Sequence, residues 1–540
     1  MRSVHKPALK DSHGPGGART VASDGDLQGN LKNRVTAVFG CDLRSLAAFR
    51  ATLAVLILVD LVDRARDLRA HYTDWGVLPR GAVMDLFLHP YCFSMHFVNG
   101  TWQWQLFLFL AAAVFALGLL VGYRTRLMTV WSWLLLVSLQ NRNPMVLQGG
   151  DILLRMSLFW GMFLPLGARC SFDRQLVSPR DETREGESQC VLSWATAAVV
   201  VQAAILYVFA GALKTGPEWR DDYSAVYYAM SIDQLTTPVG HWLVGHPHVM
   251  RVLTYLTINM ELLVPFMFFV PFFTSFFRIV AIVLLFGMQV GFGVTIRIFI
   301  FPLICLCATL PLLPSAFWDR ASPAVDVWRR WNARLARWAD TGICRWLKRR
   351  LPPEDPIVST PRWVNLTAAF FLAYVVLWNL GTLPDASLGG KLDVPSGLRW
   401  MAFAFRIDQH WDMFSPSPLK DDGWYVIPGT LIDGTIVDVF QNGSPLSWEK
   451  PELVAYTYKN QRWQKYMMTL WNRDFSAFRE YYGKYLCRSW NDKHKGGQQL
   501  DHFTIYFMKE DTLSDGEAPP ERISLWDHYC FKLPEEDAGP

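Results

Sequence analysis

An apolar run that begins near Val191 ends in the stretch Leu206-Tyr-Val-Phe-Ala-Gly-Ala-Leu-Lys-Thr-Gly-Pro-Glu-Trp-Arg-Asp-Asp-Tyr223. Its one amine, Lys214, is followed by Gly216 and Pro217, which break helices. The pattern predicts a membrane span that closes on a lysine. Burial can lower the pKa of a lysine toward neutrality and leave an amine that accepts a proton, whereas lysines at span ends usually extend to the lipid headgroups. Both interpretations stay open on spacing alone.

The whole chain has the composition of a multispanning membrane protein. It has 540 residues, 51% of them hydrophobic and 14% aromatic, which is too apolar and too long for one soluble domain. The net charge of +4 is small and implies no nucleic-acid partner. The sequence has no phosphate-binding glycine loop, CxxC, Gly-x-Ser-x-Gly or paired His-Glu zinc motif, which excludes NTPases, α/β-hydrolases and zinc proteases.

Nine segments approach the roughly 20 apolar residues that a bilayer crossing requires. They are 43–63, 103–122, 127–142, 151–167, 191–214, 249–273, 278–296, 298–314 and 363–381. We therefore predict an α-helical multispanning membrane protein with about nine transmembrane helices and a C-terminal β-rich extracytoplasmic domain.

Arginine and lysine placement predicts the orientation of the chain. With the N-terminus cytoplasmic, the Arg-rich loops fall inside, and an odd number of spans leaves the C-terminal region outside. The predicted order is a disordered cytoplasmic tail (1–34), a transmembrane domain (35–320), a basic amphipathic segment anchored to membrane lipid (321–362), a last transmembrane helix (363–385) and the extracytoplasmic domain (386–540).

Charged and amide side chains cluster toward the predicted outer ends of the spans. Ionisable groups at membrane depth normally face a partner or a polar cavity, so we expect an outward-facing polar pocket with Lys214 at its rim. Structural pairing alone would also explain several of these residues, and Asp151 and Arg155, four apart on one helix, are expected to pair. The clustered residues are Asp60, Asn141, Arg142, Asn143, Asp151, Arg155, Lys214 and Arg297, with Arg50 and Glu261 deeper.

The region after residue 386 contains short runs of β-branched and aromatic residues, at 424–428, 430–440 and 502–507, broken by Asp-Gly and Asn-Gly turns. One helix is predicted over about 459–488. Cys487 and Cys530 lie in this one domain and are the favoured disulfide pair in an oxidising compartment. No metal site is predicted, because the three histidines between 241 and 248 lack neighbouring carboxylates.

The Lys214 stretch resembles a segment of vitamin K-dependent γ-glutamyl carboxylases. Ala210-Gly-Ala-Leu-Lys214, Glu218-Trp219 and Tyr223-Ser224 carry the likeness. Lys214 falls on the lysine that acts there as the base starting vitamin K oxidation. Gln409-His-Trp-Asp-Met-Phe414 and Asp433-Gly434 resemble the start of the lumenal domain of those enzymes. The resemblance implies that Lys214 is a catalytic base and that reduced vitamin K or another quinone, with O2 and CO2, is the cofactor set.

Residues 40–320 also resemble the bacterial HTTM family, the prokaryotic relative of the carboxylase membrane domain, which implies a bacterial inner-membrane location. The likeness lies in Arg50, Tyr72-Thr-Asp-Trp-Gly-Val-Leu-Pro-Arg80, Asn141-Arg-Asn-Pro-Met-Val-Leu-Gln-Gly-Gly-Asp151 and Phe163-Leu-Pro-Leu-Gly167. A histidine that supports the lysine in carboxylases has no counterpart at Leu166-Gly-Ala-Arg169. The residues predicted to support Lys214 or line its pocket are Arg50, Asn141, Asn143, Asp151, Arg155, Trp219 and Tyr223.

Two functions of different classes follow. In the first, Lys214 deprotonates a reduced quinone, oxygen adds, and the strong base so formed removes a proton from an acyl or glutamyl substrate that then captures CO2. In the second, the chain is a non-catalytic membrane module whose charged pocket binds a lipid or quinone and whose outer domain binds a protein or peptide partner. Formation of a quinone epoxide distinguishes the two.

Overall fold

The computed structural model describes residues 24–86, 89–177, 189–321, 360–384, 392–514 and 516–531, together with the isolated residues 330, 334 and 337. The predicted amphipathic anchor over 321–362 lies almost entirely outside the described residues. A helical region leads into a region built on an antiparallel sheet. Short helices occur in both regions. In the helical region they are Leu68–Tyr72, Arg80–Leu86, Met95–Phe97, Pro144–Val146, Phe172–Val177, Pro217–Arg220, Ala225–Met230, Pro238–Val244 and Ser315–Arg320. In the C-terminal region they are Ser396–Leu398, Trp400–Ala404, Val454–Tyr456 and Gly496–Gln498.

Six helices in the described part of the chain are long and apolar enough to cross a membrane: Leu43–Ala65, Trp102–Val121, Trp194–Leu213, Pro247–Phe269, Thr274–Thr295 and Arg362–Gly381. They coincide with six of the nine predicted spans. The other three predicted spans are helices that do not qualify by length and composition: Thr125–Arg142 is too polar, and Gly149–Gly161 and Phe301–Leu312 are too short. Eleven of the 13 residues of Gly149–Gly161 are buried, so its apolar surface contacts protein.

The predicted disordered tail is wrong for its last residues, because a helix spans Asp24–Phe39. The end of this helix is docked on the membrane helices. The Arg278 guanidinium donates to the carbonyl of Val38, and the rings of Phe39 and Phe269 lie 6.1 Å apart. Tertiary contacts therefore order a segment whose polar composition predicts no structure.

Contacts at the helix ends divide the helical region into two faces. At the first face, Cys41–Asp42 pairs antiparallel with Cys190–Val191, and Arg44 forms an ion pair of 2.9 Å with Asp319. At the second face, helix ends contact the C-terminal region, as in the ion pair of 2.6 Å between Asp60 and Arg462. Lys214 and the predicted cluster of charges lie at the second face.

The C-terminal region confirms the predicted β-rich character. Its six strands are Asp421–Val426, Pro428–Leu431, Ile436–Asp438, Leu500–Leu513, Gly516–Glu517 and Glu521–Tyr529. The long strand Leu500–Leu513 pairs antiparallel with Asp421–Val426, Pro428–Leu431 and Glu521–Tyr529. Gly434 has a φ of 85° in the turn between Pro428–Leu431 and Ile436–Asp438, a conformation that favours glycine.

The single helix predicted over 459–488 is two helices, Gln461–Trp471 and Arg479–Asn491, with the 3-10 helix Arg473–Phe478 between them. Asn472 interrupts the helix: its backbone is extended and its side chain accepts a hydrogen bond from the N–H of Asp474. Asparagine favours such local bonds over helix continuation. A disulfide joins Cys487 of the second helix to Cys530, the pair that the sequence favoured.

Candidate functional site

Lys214 follows directly on the helix Trp194–Leu213, which we call the Lys214 helix. Lys214 has a φ of −77° and a ψ of 76°, outside the helical range, and Pro217 opens the next short helix, as the Gly-Pro break predicted. The Arg220 guanidinium donates to the carbonyls of Lys214, over 2.8 Å, and Gly211, over 3.2 Å. The bond to Lys214 gives a partner to a carbonyl at the end of the helix, while the Gly211 carbonyl also accepts from the backbone N–H of Lys214.

The Lys214 ammonium is buried and paired with Glu261. Its Nζ lies 2.8 Å from Oε2 of Glu261 and 3.3 Å from the carbonyl oxygen of Ala210. The Lys214 and Glu261 side chains are 3% and 6% exposed. The sequence placed Glu261 among the deep charges but not in the site, because no spacing rule connects residues on two different helices.

Close packing of two helices brings this pair together. Glu261 lies on Pro247–Phe269, which we call the Glu261 helix. A Cβ added at Gly211 would lie 2.9 Å from Cγ of Leu262 and 3.2 Å from Cβ of Glu261. A residue without a side chain at position 211 therefore allows the Lys214 helix to approach the Glu261 helix.

A cavity, which we call the Lys214 cavity, opens beside the Lys214–Glu261 pair. It holds about 740 Å³ of space that no protein atom fills, part of it open to the surroundings. The walls are otherwise apolar except at Tyr207, Trp219, Thr257, Gln289 and Thr295; the apolar residues include Leu206, Ala210, Phe292, Phe301, Met413 and Phe414.

The C-terminal region supplies one wall of the Lys214 cavity. Met413 and Phe414 line it, and the indole N–H of Trp219 donates to the carbonyl of Phe414 over 2.9 Å. The Lys214 Nζ lies 5.0 Å from the centre of the Trp219 ring, within range of a cation–π contact. The predicted Trp219 is thus part of the site, and the stretch 409–414 meets the Lys214 stretch there.

Glu218 fixes the same junction from outside the cavity. Its carboxylate accepts a hydrogen bond of 2.7 Å from Ser417 and pairs with Lys420 over 2.7 Å. Burial opposes ionisation, but the hydrogen bonds from Lys420 and Ser417 hold the pKa of Glu218 below its usual value. The charged form of Glu218 therefore ties the Lys214 stretch to the C-terminal region.

Arg50 does not line the Lys214 cavity, contrary to the prediction. It is buried at the first face, where its guanidinium donates to the carbonyls of Cys170, over 2.6 Å, and Leu166, over 3.4 Å. The segment 166–169, where carboxylases carry a histidine, therefore lies at the face opposite Lys214. In this chain the side chain that supports Lys214 is Glu261.

Asn141, Asn143 and Tyr223 also lie outside the Lys214 cavity. Asn141 donates to the carbonyl of Phe93 over 2.7 Å and accepts from Arg406, and Asn143 donates to the carbonyl of His71 over 3.0 Å. The Tyr223 ring packs 5.6 Å from that of Tyr255. The two asparagines hold loops of the second face in place.

Asp151 and Arg155 do not pair, so that prediction is wrong. Asp151 accepts a hydrogen bond of 2.9 Å from the backbone N–H of Gln148, which holds its carboxylate at the start of the helix. Arg155 instead donates to the carbonyls of Arg406, over 2.8 Å, and Asp408, over 2.5 Å. Helix spacing allowed the pair, but each side chain found partners outside its own helix.

Asp60, Arg64, Asp151 and Arg462 form what we call the buried charge cluster. Arg64 contacts Asp151 and lies 2.7 Å from Asp60, while Arg462 lies 2.6 Å from Asp60 and 2.8 Å from Asp151. All four side chains are at most 3% exposed. Two carboxylates match two guanidiniums, and Arg462 comes from the C-terminal helix Gln461–Trp471, so the cluster joins the two regions of the chain.

Asp233, Glu510 and Glu517 approach closely enough to ligate a metal ion, but an ammonium lies among them. The Lys450 Nζ lies 2.6, 2.7 and 2.6 Å from the three carboxylates, respectively. Burial opposes the charge, but hydrogen bonds to these carboxylates raise the pKa of Lys450. Lys450 therefore supplies the positive charge that a cation would bring.

The fold and the site define a multi-pass helical membrane protein with a buried lysine–glutamate pair beside an apolar cavity, next to a β-sheet region. The model of the HTTM domain matches residues 40–318, more than half of the chain. The chain belongs to the HTTM domain family, which is related to γ-carboxylase, as the sequence motifs predicted. Comparisons with curated proteins and with solved structures gave no match.

Proposed function

We propose that the Lys214 cavity binds a reduced quinone and that Lys214 accepts the proton of its hydroxyl group. The observation that carries this proposal is a buried lysine–glutamate pair facing a cavity that is otherwise mainly apolar. The rings of Trp219, Phe292 and Phe301 line the cavity and offer faces for a planar headgroup. These residues therefore fit a quinone, and no metal is part of the proposal.

Glu261 gives the proton of Lys214 a destination. Nζ and Oε2 are 2.8 Å apart, so a proton on Nζ can move to Oε2 and leave a free amine facing the ligand. Lys214 then takes the ligand proton while Glu261 holds the other. In this arrangement the glutamate does what a neighbouring histidine would do, and the absence of histidine at 166–169 is no obstacle.

A bound reduced quinone with O2 would supply the strong base that removes a carbon-bound proton from an acyl or glutamyl substrate before CO2 adds. The residues of this chain carry out a smaller share of that reaction. Lys214 and Glu261 handle the first proton, the apolar walls exclude water, and Met413 and Phe414 close the side toward the C-terminal region.

The test uses purified full-length protein, reduced naphthoquinone and oxygen, with quinone epoxide as the readout. A guanidinium stays protonated at any accessible pH, so Lys214→Arg should retain the charge and lose the activity. Lys214→Ala should be inactive and regain some turnover with a small amine. Lys420→Arg is the matched control, because Lys420 pairs with Glu218 at the same junction outside the cavity. Absence of epoxide from the wild type, or an unimpaired Lys214→Arg, contradicts the proposal.

The alternative is a non-catalytic module that binds a lipid or quinone in the same cavity without any proton transfer. It is favoured by the pairing of the Lys214 ammonium with the Glu261 carboxylate and the Ala210 carbonyl. On this alternative, a bound naphthoquinone protects the protein against heat without epoxide formation. Lys214→Arg would then bind it as well as the wild type.

We further propose nine membrane passes with the N-terminus in the cytoplasm and the C-terminal region outside a bacterial inner membrane. The support is that each of the three remaining helices has an end at one of the two faces. Thr125 and Ser45 are at the first face, where Thr125 contacts Asp173 and Ser45 donates to the carbonyl of Leu313. Thr125–Arg142 and Phe301–Leu312 thus each have one end there, while Asp151 starts its helix at the second face.

A single cysteine at the exposed Lys495 tests this topology in sealed right-side-out vesicles. Labelling before permeabilisation is expected. Cys530 is unsuitable as a reporter, because it forms a disulfide. Labelling that requires permeabilisation would contradict the orientation.

A further inference from the structure

A second large cavity lies in the C-terminal region and shares no lining residue with the Lys214 cavity. We call it the aromatic cleft. It holds about 1470 Å³ of space that no protein atom fills, part of it open solvent. Six aromatic side chains line it: Phe440, Tyr458, Trp463, Tyr482, Tyr485 and Trp490.

One face of the helix Arg479–Asn491 forms a wall of the aromatic cleft. Tyr482, Tyr485 and Ser489 line it at spacings of three and four residues, as one helical face requires, and Lys493 lines it just beyond the end of the helix. The Tyr485 ring lies 6.4 Å from that of Tyr482, in a stacked arrangement, and 5.7 Å from that of Trp463. Because the disulfide at Cys487 also ties this helix to the sheet region, the wall is built before any ligand arrives.

The cleft also carries a buried polar group without a partner. Tyr458 is 4% exposed, and its hydroxyl has no hydrogen-bond partner among the described residues. A buried hydroxyl is unfavourable unless it is hydrogen-bonded. A ligand atom that accepts a hydrogen bond would satisfy it.

The charges of the cleft favour an anion. Among the described residues, its lining contains Lys459, Lys493 and His494 but no carboxylate. Lys459 pairs with Asp67, whereas Lys493 forms no ion pair with a described residue. Lys493 is therefore available to a negatively charged ligand.

We propose that the aromatic cleft binds a small molecule that combines a planar ring with an anionic group, either phosphate or carboxylate. The ring stacks on the aromatic walls, the anion pairs with Lys493, and the Tyr458 hydroxyl donates to an acceptor of the ligand. This site is independent of the proposed function of Lys214. Its chemistry is recognition and involves no bond change.

The test measures binding to full-length protein in lipid nanodiscs by calorimetry. The probes are phenyl phosphate and phenylacetate, which have both features and differ in the anion, against benzyl alcohol and inorganic phosphate, which each have one. Both ring-bearing anions should bind more tightly than either control probe, and the tighter of the two identifies the preferred anion.

Variants locate the site. Lys493→Gln should weaken the binding of the preferred probe by about tenfold, and Tyr458→Phe by about threefold, because each removes one donor. Lys484→Gln is the matched control: Lys484 lies on the helix that forms the cleft wall, pairs with Glu480 and does not line the cleft. Equal binding of benzyl alcohol, an unchanged Lys493→Gln, or an equal loss in Lys484→Gln would each overturn the proposal.

Discussion

The buried charge cluster and the Lys214–Glu261 pair lie at the same face of the helical region, yet they differ in how completely their charges are satisfied. In the cluster each oxygen of Asp60 and Asp151 contacts a guanidinium, and Arg64 donates in addition to the hydroxyl of Tyr72 over 2.8 Å. Lys214 has one carboxylate and one carbonyl as partners, with a cavity beside it.

The chemistry of the cations follows the same division. A guanidinium does not lose its proton in a protein, whereas an amine can. The cluster is therefore suited to holding two regions of the chain together in one protonation state. The Lys214–Glu261 pair has a transferable proton and space for a ligand, which are the two properties that proton transfer requires. Buried charge alone does not identify a functional site; the space and the type of cation do.

The largest expected effect is that of breaking the cluster. Arg462→Met leaves Asp60 and Asp151 with Arg64 alone, so the free energy of unfolding should fall by about 3–5 kcal/mol. Thermal unfolding in nanodiscs measures it. Arg473→Met, at an exposed position outside the cluster, should change stability by less than about 0.5 kcal/mol. Similar losses in the two variants would mean that the cluster does not hold the regions together.

The pair should respond more weakly and recover when both charges are removed. Glu261→Gln leaves the Lys214 ammonium without its counter-ion and should lower the free energy of unfolding by about 3 kcal/mol. The double variant Lys214→Met with Glu261→Met should regain most of that loss, since apolar side chains suit the walls of the cavity. If the losses of the single variants simply add, the two residues are not coupled and the contrast with the cluster fails.

Local sequence patterns predicted the local features of this fold well. The Gly-Pro break after Lys214, the turn at Asp433-Gly434 and the β-rich runs depend on neighbours in the chain, and the structure has all three. Length and apolar composition predicted nine spans. Six of them are long apolar helices, and the other three are helices that are too short or too polar to qualify as spans. The sequence predicts one helix across Asn472 because a capping asparagine cannot be told from a solvent-exposed helical asparagine by sequence alone.

The partners of the buried charges could not be predicted. Helix spacing suggested Asp151 with Arg155, but the partners of Asp151 are Arg64 and Arg462, the latter 311 residues away. Glu261 was visible as a deep charge, yet only the packing of its helix against Gly211 brings it to Lys214. Long-range pairing depends on which helices become neighbours, and one sequence does not contain that information.

Removal of the disulfide tests whether the C-terminal region is stabilised by covalent bonding as well as by charge. Cys530→Ser opens a link between residues 43 positions apart and should lower the free energy of unfolding by about 2 kcal/mol, the low end for disulfides because strand pairing already restrains the segment. Cys92→Ser, at a free cysteine, is the control. The Lys214 cavity should keep its ligand binding in both variants, and loss of binding in Cys530→Ser alone would extend the influence of the disulfide to the site.

The smallest expected effect is that of the ion pair between His410 and Asp412, which lies beside Met413. The His410 and Asp412 side chains are 53% and 58% exposed, and Nδ1 of His410 lies 3.0 Å from Oδ2 of Asp412. The hydrogen bond that His410 donates to the Asp412 carboxylate raises the pKa of His410 and lowers the pKa of Asp412. The pair therefore stabilises the fold between about pH 4 and pH 6.5, the ordinary pKa values of the two groups.

That stabilisation is lost as the pH rises through the raised pKa of His410 or falls through the lowered pKa of Asp412, and solvent screening keeps it below about 1 kcal/mol. NMR titration of His410 should show its pKa falling toward the ordinary value in Asp412→Asn and unchanged in Asp511→Asn, which removes another exposed carboxylate. A large loss of stability in Asp412→Asn would place this exposed pair with the buried charge cluster, and exposure would then not be what separates weak pairs from strong ones at this junction.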